Sequence, residues 1–198
     1  MFTSIVSWVA VALLAATAAG LLISRDWRWS LGFLAAQYLA VFWLVLQHWP
    51  IGMAAVKLVT GWMTIAALGI TRLGLPVEEE LPEQFWPQGR AFRLFAAGMV
   101  ALLSAAATAR LETVMPGLGM PVIAGSLLLI GMGLLHLGIT TQTLRVILAL
   151  LTVLAGFETF YAAVEGSILV AALLAVVNLG LGLVGSYLMN AAAAESSA

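Results

Sequence analysis

Seven apolar runs, each about as long as a membrane-spanning helix, limit what this chain can fold into. A bilayer core about 30 Å thick needs about 20 apolar residues in a helix. Hydrophobic residues make up 63% of the 198 residues, well above the roughly 45–50% that is typical of soluble domains. The sequence therefore predicts an all-α, polytopic membrane protein with one membrane domain. Its spans are about 4–24, 29–48, 51–73, 92–110, 121–140, 144–164 and 167–189.

Composition also narrows the chemistry that we expect. The chain has no cysteine, which excludes disulfides, thiolate metal sites and cysteine nucleophiles. Its formal net charge of −1 offers no basic surface of the kind that binds nucleic acid. The sequence contains no His-x-x-x-His pair and no nucleophile elbow, which are signatures of metal and hydrolase sites. We therefore expect no cofactor, no metal and no nucleic-acid partner, and the lipid bilayer as the surroundings of the chain.

One polar stretch divides the chain into two groups of spans. The sequence "GLPVEEELPEQFWPQGR", residues 74–90, contains three prolines and two glycines, a composition typical of a turn-rich loop. We expect this loop over about 74–91, with Phe85 and Trp86 at the level of the lipid headgroups. Trp49, at the end of the second span, is expected to anchor in the same layer, where an indole buries its ring and keeps its N–H hydrated.

The positions of the basic residues predict the orientation of the chain. Successive loops alternate sides of the membrane, and positive charge collects on the cytoplasmic side. We therefore expect the amino terminus outside, the carboxyl terminus in the cytoplasm and the loop over about 74–91 on the cytoplasmic side. The outer side carries Arg110 alone, whereas the cytoplasmic side carries Arg25, Arg28, Arg72, Arg90, Arg93 and Arg145.

Two charged residues fall inside predicted spans. Glu158 lies in the apolar and aromatic stretch "VLAGFETFYAAVEGS", residues 153–167, and Lys57 lies in the third span. At a rise of 1.5 Å per residue, Glu158 is about 21 Å from the cytoplasmic start of its span and Lys57 about 9 Å from the outer start of its own. Both therefore belong to the outer half of the membrane. Because an unpaired charge in hydrocarbon costs at least about 2.5–3.5 kcal/mol, we expect the two residues to pair.

Functional and structural interpretations of this pair stay open. A titratable position lined by protein is typical of a proton or ion route, which makes Glu158 and Lys57 candidates for ion translocation. Alternatively, the pair only orients two helices, or the lysine extends to the interface while the carboxylate stays protonated. Glu165, at the outer boundary of the sixth span, is expected to be a solvated helix-end residue.

Other polar residues inside the spans are less specific. His136, near the cytoplasmic end of the fifth span, has side-chain chemistry suited to proton relay, although packing is its ordinary role. Gln37, Thr152 and Asn178 lie near the middles of their spans, where each could hydrogen-bond across a helix interface for about 0.6–2 kcal/mol. The default interpretation of these three residues is that they only hold helices together by hydrogen bonds.

Glycines recur in the fifth and seventh spans. They occur as "GMG" at 131–133 and within "NLGLGLVGSYL" at 178–188. Gly182 and Gly185 flank a face of the seventh span on which another backbone could approach closely, so we expect them to serve helix packing.

Three stretches of the chain resemble a known membrane family. They are "RDWRWSLGFLAAQYLAVFWLV" at 25–45, "AAVKLVTGWMTIAALGITRL" at 54–73 and "LLHLGITTQTLRVILALLTVLAGFE" at 134–158. Their order and spacing resemble the membrane subunit called hydrogenase-4 component E over most of the chain. The last three spans, about 121–189, are similar to the three-helix K subunit of respiratory complex I and to the C subunit of multisubunit cation/proton antiporters.

The resemblance implies a multi-pass subunit of a complex I-like or hydrogenase-like assembly in the inner (plasma) membrane, beside antiporter-like subunits. It implies that Lys57 matches the family's third-span lysine and Glu158 its sixth-span carboxylate, which would contribute to proton or sodium movement. If "LR" at 144–145 is aligned with the family's pair, the family's carboxylate falls at Leu154, one turn earlier. A second carboxylate of the complex I K subunit matches Asn178, whose amide cannot carry a titrating proton.

Three functions follow as alternatives. The first is a membrane subunit that contributes to ion translocation or its coupling in such an assembly, with no active site of its own. The second is a structural or assembly subunit whose polar residues only pack. The third is a small self-contained transporter, against which stand the absence of a visible internal repeat and the scarcity of polar residues at the midplane.

Overall fold

The described part of the chain forms seven α-helices. The structure is a computed structural model and describes residues 2–75 and 89–196. Each helix is long and apolar enough to cross a membrane, and no strand occurs within these ranges. The prediction of an all-α, multi-pass fold is confirmed, while Phe85 and Trp86 lie outside the described residues. The helices are α1 (Phe2–Ile23), α2 (Trp27–Val45), α3 (Ile51–Gly74), α4 (Arg90–Val114), α5 (Met120–Gly138), α6 (Thr143–Val164) and α7 (Ile168–Ser196).

Three helix ends differ from the predicted spans by several residues. α2 ends at Val45, before the predicted limit near 48, because the chain turns through residues 46–49 ahead of Pro50, and the residue before a proline disfavours helical geometry. α4 continues past 110 to Val114, and α7 continues past 189 to Ser196. The extra turns of α7 are rich in alanine, which has the highest helix propensity. Hydropathy marks the apolar span and misses such extensions.

Successive helices run in opposite directions, so the bundle has two ends. We call the end with the α2–α3 and α6–α7 connections the top, and the end with the α1–α2 and α5–α6 connections the bottom. At the top, the indole N–H of Trp49 donates to the backbone oxygen of Glu165 at 3.0 Å. At the bottom, Arg145 donates to the backbone oxygen of Ser24 at 2.6 Å. Trp49 is buried and its N–H is bonded inside the protein, so the predicted hydration of this N–H is wrong, whereas its level in the membrane stays a prediction.

Glycines allow the closest helix crossings. α5 and α6 pack with their backbones in near contact, since a Cβ added at Gly156 would lie 2.8 Å from a backbone oxygen of α5. A Cβ added at Gly133 would lie 2.9 Å from a backbone nitrogen of α6. Because real Cβ atoms do not approach backbone so closely, the crossing requires glycine at both positions. This crossing holds α6, which carries Glu158, firmly against α5.

Gly182 and Gly185 pack α7 onto helices of its own chain. A Cβ at Gly182 would lie 2.7 Å from Cγ2 of Thr64 on α3. A Cβ at Gly185 would lie 2.8 Å from Ile147 on α6 and 3.0 Å from Leu68 on α3. The close approach expected at these glycines is therefore made within the chain itself. It brings α7 beside α3 at the level of the polar residues described below.

The apolar core lies between α1, α2, α5 and α6. Leu14, Leu34, Leu44, Ile123 and Leu129 are among its fully buried side chains. In contrast, α3, α4 and α7 expose large apolar side chains along their outer faces, as expected of helices that are hydrophobic on all sides and surrounded by lipid. One group of buried polar residues lies where α2, α3, α6 and α7 meet.

Candidate functional site

Lys57 and Glu158 form an ion pair near the top of the bundle. Lys57 lies six residues after the start of α3, and Glu158 lies six residues before the end of α6. Both are therefore about 9 Å from the top along their helices. The Lys57 ammonium contacts the Glu158 carboxylate, and only 5% and 2% of the two residues are exposed. The structure brings together the two charges that we expected to pair.

Burial makes each member of this pair depend on the other. A single charge in hydrocarbon costs several kcal/mol, whereas two paired charges offset much of each other's desolvation. No hydrogen-bond donor among the described residues reaches the Glu158 oxygens, apart from the ammonium of the ion pair. The lysine is therefore the group that stabilises the ionised form of this carboxylate.

The Lys57 ammonium also lies over the ring of Tyr38. The centre of this ring is 4.9 Å from the Lys57 ammonium nitrogen, within the range of a cation–π contact. Tyr38 is fully buried and packs into the space left by the missing side chain of Gly61, where an added Cβ would lie 2.5 Å from the ring. α2 thus contributes an aromatic face to a charge that α3 carries.

A hydrogen-bonded chain continues from Tyr38 to α7 and back to α3. The Tyr38 hydroxyl lies 3.1 Å from Oδ1 of Asn178, to which it can donate. Nδ2 of Asn178 lies 3.0 Å from the hydroxyl, which can accept from it. The Thr64 hydroxyl donates to the backbone oxygen of Asn178 at 3.3 Å and to that of Thr60 at 2.9 Å. Asn178 is fully buried, and its interhelical contact is with Tyr38 and Thr64.

A contact between Gln37 and Thr152 joins α2 to α6. The Gln37 amide nitrogen donates to the Thr152 hydroxyl at 3.4 Å, at the long end of hydrogen-bond distances. Thr152 also donates to the backbone oxygen of Leu148 at 2.9 Å. The amide oxygen of Gln37 is buried with no hydrogen-bond partner in the described ranges. Two residues that were each expected to bridge helices therefore contact one another.

His136 belongs to a different cluster, at the bottom of the bundle. It lies two residues before the end of α5, and its Nε2 is buried without a hydrogen-bond partner among the residues that the structure describes. The side chains of Arg145 and Arg93 lie near its ring. Arg93 donates to the backbone oxygen of Leu22 at 3.1 Å. The structure does not bring His136 to the Lys57–Glu158 pair.

The two arginines of this bottom cluster stabilise the end of α1. Arg93 is bonded to Leu22 and Arg145 to Ser24, and both acceptors are backbone oxygens at the end of the helix, where the macrodipole is negative. Both arginines are buried, although the sequence predicts them only as basic residues flanking cytoplasmic loops. Their role in packing could not be deduced from hydropathy.

Several site residues were missed at the sequence level. Tyr38 follows Gln37 directly and places a hydroxyl inside a span, which calls for a buried partner. That signal identifies a polar contact without naming Asn178 or the lysine. Gly61 lies four residues after Lys57, on the same face of α3, but only the packed structure shows that a ring lies over it.

The arrangement is suited to holding or exchanging one charge. Glu158 can accept a proton and Lys57 can release one, whereas the amide of Asn178 and the hydroxyl of Thr64 only donate and accept hydrogen bonds. Within the described ranges, no group of three or more histidine, aspartate or glutamate side chains could hold a metal ion.

Comparison with models of protein families, with curated proteins and with solved structures finds no match to this chain. The geometry of the buried polar residues is therefore the evidence on which a function can be argued.

Proposed function

We propose that this chain is a membrane subunit of a complex I-like or hydrogenase-like respiratory assembly, and that Lys57 and Glu158 contribute to proton or sodium translocation or to its coupling. The buried ion pair is the observation that supports this proposal. The identity of the assembly is supported by the sequence resemblance alone. Antiporter-like membrane subunits are the proposed neighbours.

The pair supports a role in ion movement because its charge state can change inside the membrane. When Glu158 takes up a proton, or a cation displaces the ammonium, Lys57 loses the partner that offsets its desolvation. The change in energy is large enough to move side chains or helices. A buried pair of this kind couples ion occupancy to the side-chain contact between α3 and α6.

The hydrogen bonds of the polar residues beyond the pair can rearrange when the charge of the pair changes. Asn178 cannot carry a titrating proton, so changes of charge are confined to Glu158 and Lys57 in this proposal. Tyr38, Asn178 and Thr64 can exchange hydrogen bonds as the ammonium moves. This chain contributes to coupling, and the neighbouring subunits complete the route through the membrane.

Replacement of Glu158 tests the proposal. We expect Glu158→Gln to lower proton or sodium flux more than tenfold in vesicles that contain the chain with the membrane proteins that co-purify with it. The reason is that changing a charge worth about 2.5 kcal/mol or more in hydrocarbon alters a barrier by over a factor of ten. The matched control is Glu165→Gln, which removes the same charge from an exposed position at the end of α6. Equal flux in both variants would remove Glu158 from the route.

A structural or assembly subunit is the second candidate. It is favoured by the observation that Gly182, Gly185, Gln37 and Thr152 all make contacts within the chain. On this alternative Glu158→Gln leaves flux intact and only weakens the helix bundle. A self-contained transporter is the third candidate, and flux carried by the lone chain in vesicles would favour it over the other two.

A further inference from the structure

We propose that Tyr38 is a positioning residue that holds the Lys57 ammonium next to Glu158. The consequence for ion movement rests on the function proposed above, whereas the position of the ammonium does not. Two groups contact the ammonium: the carboxylate of Glu158 and the π face of Tyr38, whose ring centre is 4.9 Å away. The ring therefore limits where the lysine can go when the carboxylate is neutral.

The ring is held under the lysine by the absence of a side chain at Gly61. An added Cβ at this position would lie 2.5 Å from Cδ1 and 2.6 Å from Cε1 of Tyr38. Gly61 is one helical turn after Lys57 on α3, so the notch and the ammonium share a face of the helix. The backbone of α3 thus places the ring below its own charged residue.

The hydroxyl fixes the ring from its far end. It contacts both side-chain polar atoms of Asn178, at 3.1 Å to Oδ1 and 3.0 Å to Nδ2. Thr64 holds Asn178 in turn through its backbone oxygen. Tyr38 is consequently fixed by α3 at the ring and by α7 at the hydroxyl, which a phenylalanine would reproduce only in part.

This arrangement restrains a side chain that is otherwise flexible. Lysine carries a compact charge on a four-carbon stem with many rotamers, and a cation–π contact is stronger when it is desolvated. Tyr38 and Lys57 are both buried, so the contact is of the desolvated kind. The aromatic face favours the rotamer in which the ammonium stays at the level of Glu158.

The chain offers an unusually direct test, because Lys57 is its only lysine. Labelling with lysine that carries nitrogen-15 at the ammonium gives one side-chain signal from the full-length protein in lipid nanodiscs. We expect a rigid signal in the native protein and in Tyr38→Phe, which keeps the ring. We expect the rigid signal to be lost in Tyr38→Leu. Tyr38→Met, which fills the space with a flexible side chain, replaces the leucine variant if that variant does not fold.

A second readout measures access to the ammonium. The rate of modification of Lys57 by an amine-reactive reagent, read by peptide mass spectrometry, should rise about thirtyfold in Tyr38→Leu, the factor expected for loss of a desolvated cation–π contact. In Tyr38→Phe the rate should stay within about twofold of the native value. The matched control is Phe33→Leu on the same helix, because the Phe33 ring also packs over a glycine, 2.9 Å from a Cβ added at Gly20.

The outcomes separate the two proposals. A rigid ammonium signal together with an unchanged modification rate in Tyr38→Leu would overturn the positioning role. So would an equal effect of Phe33→Leu, since that result would mean general loosening of α2. If Tyr38→Leu frees the ammonium but Glu158→Gln leaves flux intact, the positioning role stands and the ion-translocation function falls.

Discussion

Lys57 and Glu158 can both be buried as charged groups because each offsets much of the desolvation free energy of the other. Both are almost completely buried, and the ammonium is the donor that reaches the carboxylate. A buried pair of this kind is not by itself a strong source of stability, since apolar side chains of similar volume often replace it without loss. Stability alone therefore does not explain why the pair is buried in this helix bundle.

A double-mutant cycle tests this dependence between the two residues. We expect Lys57→Met and Glu158→Leu each to lower the free energy of unfolding by about 3–5 kcal/mol, because each leaves one uncompensated buried charge. The double variant should lie within about 1 kcal/mol of the native protein, or above it. Unfolding in a fixed detergent, followed by circular dichroism, measures all four proteins. Additive losses in the double variant would contradict the pairing.

Glycines determine how closely the helices that surround the Lys57–Glu158 pair approach one another. α6 crosses α5 at Gly133 and Gly156, and α7 crosses α3 at Gly182. Glu158 comes two residues after Gly156, so the tightest crossing in α6 also fixes the height and direction of its carboxylate. Packing of small residues is the usual means by which membrane helices gain contact, because lipid provides no hydrophobic drive between them.

Alanine substitution at Gly156 tests that crossing. We expect Gly156→Ala to destabilise the protein by about 1–3 kcal/mol, the usual range for overpacking, because the new Cβ would lie 2.8 Å from backbone atoms of α5. Gly180→Ala is the matched control, since nothing lies within 4 Å of a Cβ added there. Denaturation midpoints of the two variants in one detergent provide the comparison. Alanine is the better helix former, so Gly180→Ala should not lower the midpoint, and a loss there as large as that at Gly156 would contradict the packing explanation.

The seven helices form one bundle whose two ends carry different chemistry. The bottom holds Arg93, Arg145 and His136 inside the protein, and the ion pair lies near the top. The distribution of arginines in the sequence predicts that the bottom faces the cytoplasm. On that orientation the Lys57–Glu158 pair lies nearer the outer surface.

Cysteine labelling tests the orientation in a chain that contains no cysteine. Gly166→Cys lies in the α6–α7 connection at the top, and Gly138→Cys lies at the bottom end of α5. Both positions have open space around an added Cβ, so neither substitution should disturb folding. We expect a membrane-impermeant thiol reagent to label the Gly166 variant in intact cells and the Gly138 variant only after permeabilisation. The reverse pattern would invert the predicted topology.

The sequence by itself determined the membrane class, the seven spans and the common depth of Lys57 and Glu158, because hydropathy and helical rise depend on residues close together in the chain. It also identified Gln37 and Thr152 as polar residues that require partners. It could not show that these two contact one another, that Trp49 is bonded inside the protein, or that Tyr38 lies between Lys57 and Asn178. Those facts depend on the rotation of each helix about its axis, which is decided by side-chain packing between residues more than a hundred positions apart. Only the tertiary structure decided which neighbours surround each buried charge, and those neighbours determine what the charge can do.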